Sequence, residues 1–189
     1  MKKLYAIDVD ETLFKTNASV KVIEEGKVVN SLSNSEFNTY KLKLNQTFDF
    51  SEFENSRLFY NESIPIISMI DRVNAIYKYK CRNDKIIILT ARSDMDDKYL
   101  YLNKFREAGL RIDDCHVNRA GNNKTAIPVA EKKTLVIKDH IERFDFSEVY
   151  MYDDAKSNLE LFLELNIEYP KVSFYAYLVQ EDGNVEQYK

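Results

Sequence analysis

Three short apolar runs, each stopping abruptly in polar chemistry, constrain the fold of this chain more than any other feature. Leu4-Tyr5-Ala6-Ile7 ends at Asp8-Val9-Asp10-Glu11-Thr12-Leu13. Ile86-Ile87-Ile88-Leu89 ends at Thr90-Ala91-Arg92, and Val149-Tyr150-Met151-Tyr152 ends at Asp153-Asp154, with Ser157 and Asn158 just beyond. Runs this short and continuous predict strands of a parallel sheet covered on both faces. Ligands of such sheets gather in the crevice outside the carboxyl ends of the strands. Asp8, Asp10, Thr90, Arg92, Asp153 and Asp154 are therefore expected to converge on one edge. Carboxylates crowded together destabilise one another, and a bound cation removes that cost. The expected site is a carboxylate cluster for a hard divalent cation, beside a hydroxyl and a guanidinium suited to phosphate.

The rest of the chain supplies the helices that such a sheet needs. Pro65 is expected to open a helix carrying Ile66, Ile67, Met69, Ile70, Val73, Ile76 and Tyr77 at helical spacing. A second helix is predicted from about Ser93, with Asp94, Asp96 and Asp97 at its positive end, to Gly109. A short strand over 112–117, a helix over 130–144, a helix over 155–165 and a strand over 172–179 complete the alternation. This order predicts a doubly wound, mainly parallel α/β sheet with right-handed crossovers.

Residues 16–63 are too long for an ordinary connection. Within them, Ser19-Val20-Lys21-Val22-Ile23-Glu24 and Lys27-Val28-Val29-Asn30 flank Glu25-Gly26, a hairpin pattern. The following stretch to Tyr60 is rich in aromatics but has no sustained period, and reads as loop with short pieces of structure. Its rings are expected to pack the insertion onto the core; the alternative is that Tyr40 or Phe37 stacks on a ring of the substrate.

Composition narrows the function classes. At 189 residues with few Gly and Pro, the chain suits one domain with a modest insertion. Two cysteines, Cys81 and Cys115, lack metal-ligand spacing and are expected as free thiols; His116 and His140 are too few for a zinc site. Without an apolar stretch of spanning length or a signal-peptide pattern, a cytoplasmic protein with no membrane partner is expected. A net charge of −4 disfavours an extended nucleic-acid track, though not the docking of one terminal phosphate. No Gly-x-x-x-x-Gly-Lys-Ser/Thr loop is present, so no P-loop kinase activity is expected.

Asp8-Val9-Asp10-Glu11-Thr12 resembles the first motif, Asp-x-Asp-x-Thr, of the haloacid dehalogenase (HAD) superfamily. Thr90 matches the second motif and Asp153-Asp154 the acidic fourth, in the family's order and across most of the chain. The resemblance implies a single HAD-like Rossmannoid domain over 1–189, with a small hairpin flap or cap inserted at about 16–63. It implies a phosphomonoester hydrolase that uses Mg2+ and an aspartyl-phosphate intermediate. Asp8 would be the nucleophile, and Asp10 the general acid and then the base. The metal would take a carboxylate oxygen of Asp8 and the backbone carbonyl of Asp10. Asp154 would be the direct third ligand, because Asp154 to Asn158 has the family's Asp-x-x-x-Asp/Asn spacing, with Asp153 acting through a water or from behind. Asp153-Asp154 would also cap the following helix.

Thr90 would bond a phosphoryl oxygen. Arg92 would grip the phosphate or pair with Asp94 or Asp96. For the third-motif lysine, Lys132, Lys133 and Lys138 compete, and Lys133, at the start of its helix, is favoured. Glu11 stands where the motif often has Gly, and Asn158 where an Asp is frequent. Asp10 favours a phosphohydrolase over the dehalogenases, which lack a second Asp. The motif wording is similar to viral and bacterial HAD proteins grouped with nucleic-acid-repair phosphatases, which suggests a nucleotide or a 3′-phosphate end. Another phosphorylated metabolite or a phosphoprotein remains open as substrate, as does a catalytically idle phosphate-binding module.

Overall fold

The first apolar run forms β1 (Lys3–Ile7), and the chain then departs through a two-residue strand, β2 (Phe14–Lys15), into the insertion. The computed structural model describes residues 2–37 and 39–189. Within the insertion, β3 (Val20–Glu24) and β4 (Lys27–Leu32) form the expected hairpin. Glu25 and Gly26 both have positive φ, 50° and 75°, as a two-residue turn matched to strand twist requires. A single-turn helix α1 (Asn34–Phe37), β5 (Gln46–Asp49), a 3-10 turn (Ser51–Glu54), α2 (Ser56–Glu62) and β6 (Ile64–Pro65) follow. β6 pairs antiparallel with β2, so the insertion leaves and returns through adjacent strands. The chain continues through α3 (Ile67–Tyr79), β7 (Lys85–Thr90), α4 (Lys98–Glu107), β8 (His116–Arg119) and α5 (Val129–Phe144). It ends with β9 (Glu148–Asp153), α6 (Lys156–Glu168), β10 (Ser173–Val179) and β11 (Val185–Tyr188).

The architecture is α/β, with a central sheet in the order β11-β10-β9-β1-β7-β8. Every pairing in it is parallel except β10 with β11. From β1 the chain builds outward to β7 and β8, then α5 carries it back across to β9 on the other side of β1. Strand order therefore reverses between β1 and β9, the place where open α/β sheets form their ligand crevice.

Alternation along β1 assigns the two faces. Ile7 packs with Met69, Ile70 and Val73 of α3 and with Tyr101 and Phe105 of α4. Leu4 and Ala6 face the opposite way, against Ile137 and Ile141 of α5 and Leu159 and Phe162 of α6. Side chains buried this fully each contribute about 1.5–3 kcal/mol, so both strand faces strongly specify register. The insertion has its own small core of Val20, Val22 and Leu32, backed by Phe37, Tyr40, Phe48 and Phe53.

Several boundaries differ from the sequence reading for local reasons. The helix expected from Ser93 begins at Lys98, because the Asp97 side chain caps the amides of Tyr99 and Leu100. Ile64 and Pro65 are drawn into pairing with β2, so the helix expected at Pro65 starts at Ile67. The strand expected over 112–117 is a 3-10 turn (Ile112–Asp114) followed by β8, two residues further on. β11 was not anticipated; it is a short, mostly exposed edge strand with no apolar run to announce it. The stretch before Tyr60 also holds more order than a loop: β5 extends the hairpin to three strands, and Phe59 of α2 enters the main core.

Candidate active site

Where β1, β7 and β9 end, the side chains singled out from the sequence come together. Asp8 follows β1 directly, and its amide donates to the Tyr152 carbonyl of β9 at 3.0 Å, which sets Asp8 beside Asp153. Thr90 closes β7, paired in register with Arg119 of β8. Asp8, Thr90, Arg92, Lys133 and Asp153 are all buried, and Asp10 and Asp154 form the more open rim.

Of the three competing lysines, Lys133 is the one at the site. It lies in the first turns of α5, is 2% exposed, and donates to Asp8 Oδ1 and to Asp153 Oδ2, both at 2.7 Å. Lys132 is half-buried outside the cluster, and Lys138 pairs with Glu168 on α6. Burial opposes the Lys133 charge, but Asp153 and Asp8 outweigh it and raise its pKa, so Lys133 is a fixed ammonium. Burial pushes the Asp8 carboxyl well above the usual carboxylate range. Lys133 pulls it down, and Asp153, Asp154 and Asp10 push it up again.

Asp153 and Asp154, though adjacent, have different duties. Asp153 Oδ1 accepts from the Ala155 amide at 2.9 Å and from Asn158 Nδ2 at 2.8 Å, and Oδ2 accepts from Lys133. That leaves Asp153 little more than one free lone pair. It holds the turn that leads into α6 and anchors Lys133 at once, but the expected cap is not formed: Ala155 is the N-cap residue, without a side-chain bond to the first turn. No hydrogen bond from another described residue reaches the Asp154 carboxylate, which burial and Asp153 push up to about 7 against the pull of Lys133. One oxygen each from Asp8, Asp153 and Asp154 lie within 4.8 Å of one another. Four carboxyl groups against two cations, Lys133 and Arg92, would leave two negative charges if all were ionised, an excess that the raised pKa values of Asp8 and Asp154 reflect. Hard oxygen donors with that charge excess fit a divalent cation such as Mg2+.

Arg92 does not pair with Asp94 or Asp96. Its Nε donates to both oxygens of Asp10 (3.1 and 3.0 Å), and Nη2 donates to Asp10 Oδ1 at 2.6 Å. Nη1 donates to the Phe53 carbonyl at 3.0 Å, and the guanidinium lies over the rings of Phe53 and Phe59. Asp94 pairs instead with Arg119, and Asp96 accepts from Ser56. Thr90 is fully buried, and its hydroxyl oxygen accepts from the Arg92 amide at 3.1 Å, which leaves its proton to give.

Glu11, directly after Asp10, has φ 57°. Left-handed backbone disfavours a side chain by about 1–2 kcal/mol. The Glu11 carboxylate offsets this by accepting from the Thr16 amide at 3.0 Å, which also ties down the start of the insertion.

Two contributors were missed by sequence reasoning. Phe53 looked like one more ring in an aperiodic stretch, and nothing local marks its carbonyl as a partner of Arg92. Gly121 left a better signal, as one of only four glycines, just past a strand. A Cβ there would lie 2.7 Å from Arg92 C and Ser93 N, so only glycine lets the 3-10 turn (Ala120–Asn122) close against the Arg92 loop. The rings proposed for substrate stacking are otherwise engaged. Phe37 packs edge-on against Phe48 and Phe50, and Tyr40 packs on Phe48 with its hydroxyl on Gln46.

No helix among the described residues is long and apolar enough to cross a membrane. No family model, curated protein or solved structure matches the chain.

Proposed function

We propose that this protein is a HAD-type, magnesium-dependent phosphomonoester hydrolase working through an aspartyl-phosphate. The observation that carries the reading is the buried Lys133 bridging Asp8 and Asp153, with Asp154 open beside them, at the point where strand order reverses. A phosphate ester resists attack because nucleophile and substrate are both anionic, and fixed positive charge offsets that repulsion. Asp8, Asp154 and the Asp10 backbone carbonyl would hold Mg2+, with Asp153 behind them. The cation would supply charge neutralisation for the phosphoryl oxygens.

The chain's own groups account for the remaining roles. Asp8 attacks phosphorus with one carboxylate oxygen while Lys133 holds the other group of charges in place. Asp10 gives its proton to the leaving oxygen as the ester bond breaks, then takes a proton from the water that cleaves the acyl phosphate. The Thr90 hydroxyl donates to a phosphoryl oxygen. The substrate proposed is a nucleotide or a nucleic-acid 3′-phosphate, on the strength of the motif resemblance alone. Arg92 on both oxygens of Asp10 favours a second reading, a phosphate-binding module without turnover. Hydrolysis of an aryl phosphate with and without Mg2+ decides between them. Magnesium-dependent turnover lost in Asp8→Asn supports the enzyme; phosphate binding without turnover supports the module. A panel of nucleotides, end-phosphorylated oligonucleotides, sugar phosphates and phosphopeptides then tests the substrate.

A further inference from the structure

We propose that Arg92 is a positioning residue through which the insertion sets the geometry of Asp10, and that it is not a ligand of the transferred phosphate. The inference rests on the phosphatase reading, in which Asp10 is the general acid. Three of the five Arg92 N–H groups are already committed, Nε and Nη2 to Asp10 and Nη1 to the Phe53 carbonyl, and these hold the guanidinium plane on Asp10. Oδ1 of Asp10 accepts two of these bonds, and Oδ2 shares only the Nε–H, so Oδ2 is the oxygen with capacity left for a proton. The planar guanidinium thereby fixes the plane of the carboxyl group and the direction in which that proton is offered.

Arg92 is in turn held by the end of the insertion. Ser93 Oγ donates to Glu54 Oε1 at 2.6 Å, the Asp96 amide donates to the Glu54 carbonyl at 3.0 Å, and the Ser56 amide donates to Asp96 at 2.8 Å. The Phe53 ring centroid lies 5.0 Å from the guanidinium carbon. Residues 53–56 and 92–96 thus form one joint, backed on its other side by Gly121. A change in the insertion's seating reaches Asp10 through a single buried side chain.

The step affected is proton donation. As Asp8 oxygen bonds to phosphorus and the phosphorus–oxygen ester bond breaks, the Asp10 proton passes to the departing oxygen, whose electron pair takes it, and a neutral alcohol leaves. An aryl oxygen needs this proton little, and an alkyl oxygen needs it much, because positioned acids contribute about 10²–10⁴-fold. The test compares p-nitrophenyl phosphate with glycerol phosphate, using the full chain with Mg2+ and monitoring melting temperature. Arg92→Lys is expected to lower kcat on the alkyl ester by about 100-fold and on the aryl ester by less than about 5-fold, with KM little changed. Phe53→Leu, at a half-buried ring, is expected to show the same selectivity at about a tenth of the size, and it carries the test if Arg92→Lys does not fold. Equal losses on both esters with a raised KM would mean that Arg92 grips phosphate, and overturn the inference. So would a Phe53→Leu variant indifferent to the leaving group. Absence of wild-type turnover on either ester overturns the phosphatase reading, and this inference with it.

Discussion

Asp8 and Asp10 are separated by one residue, yet they are held from opposite sides of the molecule. Asp8 is gripped from the core by Lys133 on α5, which also binds Asp153 at the end of β9. Asp10 is gripped from the insertion side by Arg92, which rests on Phe53. The first grip is built on two central strands and a long helix, and its members are almost entirely buried. The second is built on loops, with the Asp10 side chain 15% exposed. Elements of regular structure place side chains more precisely than loops do. If the proposed mechanism holds, charge neutralisation would belong to the rigid half and adjustable proton transfer to the half joined to the insertion.

The largest expected effect is on the rigid half. Asp8→Asn should lower turnover at least about 10³-fold, roughly 4 kcal/mol of barrier, because an amide cannot form the acyl phosphate. The fold should survive, since Asp153 still holds Lys133. Single-turnover kinetics on a sample with a wild-type melting curve checks both, and near-normal turnover removes the mechanism.

Next in size is Lys133→Met. It strands Asp8 and Asp153 as buried, unpaired carboxylates, which should cost about 3–5 kcal/mol of stability. Lys132→Ala, on the half-buried neighbour outside the cluster, should cost less than about 1 kcal/mol. Urea unfolding of the two variants side by side measures the difference, and similar midpoints would erase the distinction between them.

The acidic pair sharpens the comparison inside the rigid half. Asp153→Ala should lower the melting temperature, because it frees Lys133, the Ala155 amide and Asn158 together. Asp154→Ala should not lower the melting temperature, and in chelator at neutral pH should raise it by removing a penalised charge, while raising the magnesium needed for activity. A metal titration in which Asp153→Ala alone shifts the requirement would put the direct ligand one residue earlier. The pH dependence follows from Asp154, whose pKa rises from 3.8 to about 7 in the folded chain. The folded state then binds this proton more tightly than the unfolded state. Its contribution to stability is full below about pH 4 and is lost as pH rises through about 7. In chelator, the contribution should therefore fall away as pH rises. Because a metal displaces the same proton, the melting-temperature gain from Mg2+ should grow from about pH 5 to 7 and level off above. Calorimetry across that range tests the sign.

The smallest effect is expected in the insertion's own core. Phe37→Ala should cost roughly 1–2 kcal/mol, because the ring is only half-buried among Phe48 and Phe50. Activity on ring-bearing and plain phosphate esters should decline together. A selective loss on the ring-bearing ester would return this side chain to substrate recognition.

The sequence by itself determined the apolar strands β1, β7, β9 and β10, the hairpin of β3 and β4, the four long helices and the identity of the acidic residues. Continuous apolar runs admit few structures, and helical spacing such as that of Ile66 to Tyr77 shows which face is buried. Partnership is another matter. Lys133 and Asp8 are 125 residues apart, and Arg92 and Asp10 are 82 apart. Helical spacing puts Lys133 on one face with Ile137 and Ile141 and turns Lys132 away from it, but only the way α5 crosses back to β9 brings that face to Asp8 and Asp153. Likewise, nothing around Arg92 in the chain indicates that the return of the insertion would place Phe53 against it. Local spacing reports which residues share a face, and only the packed sheet decides which faces meet.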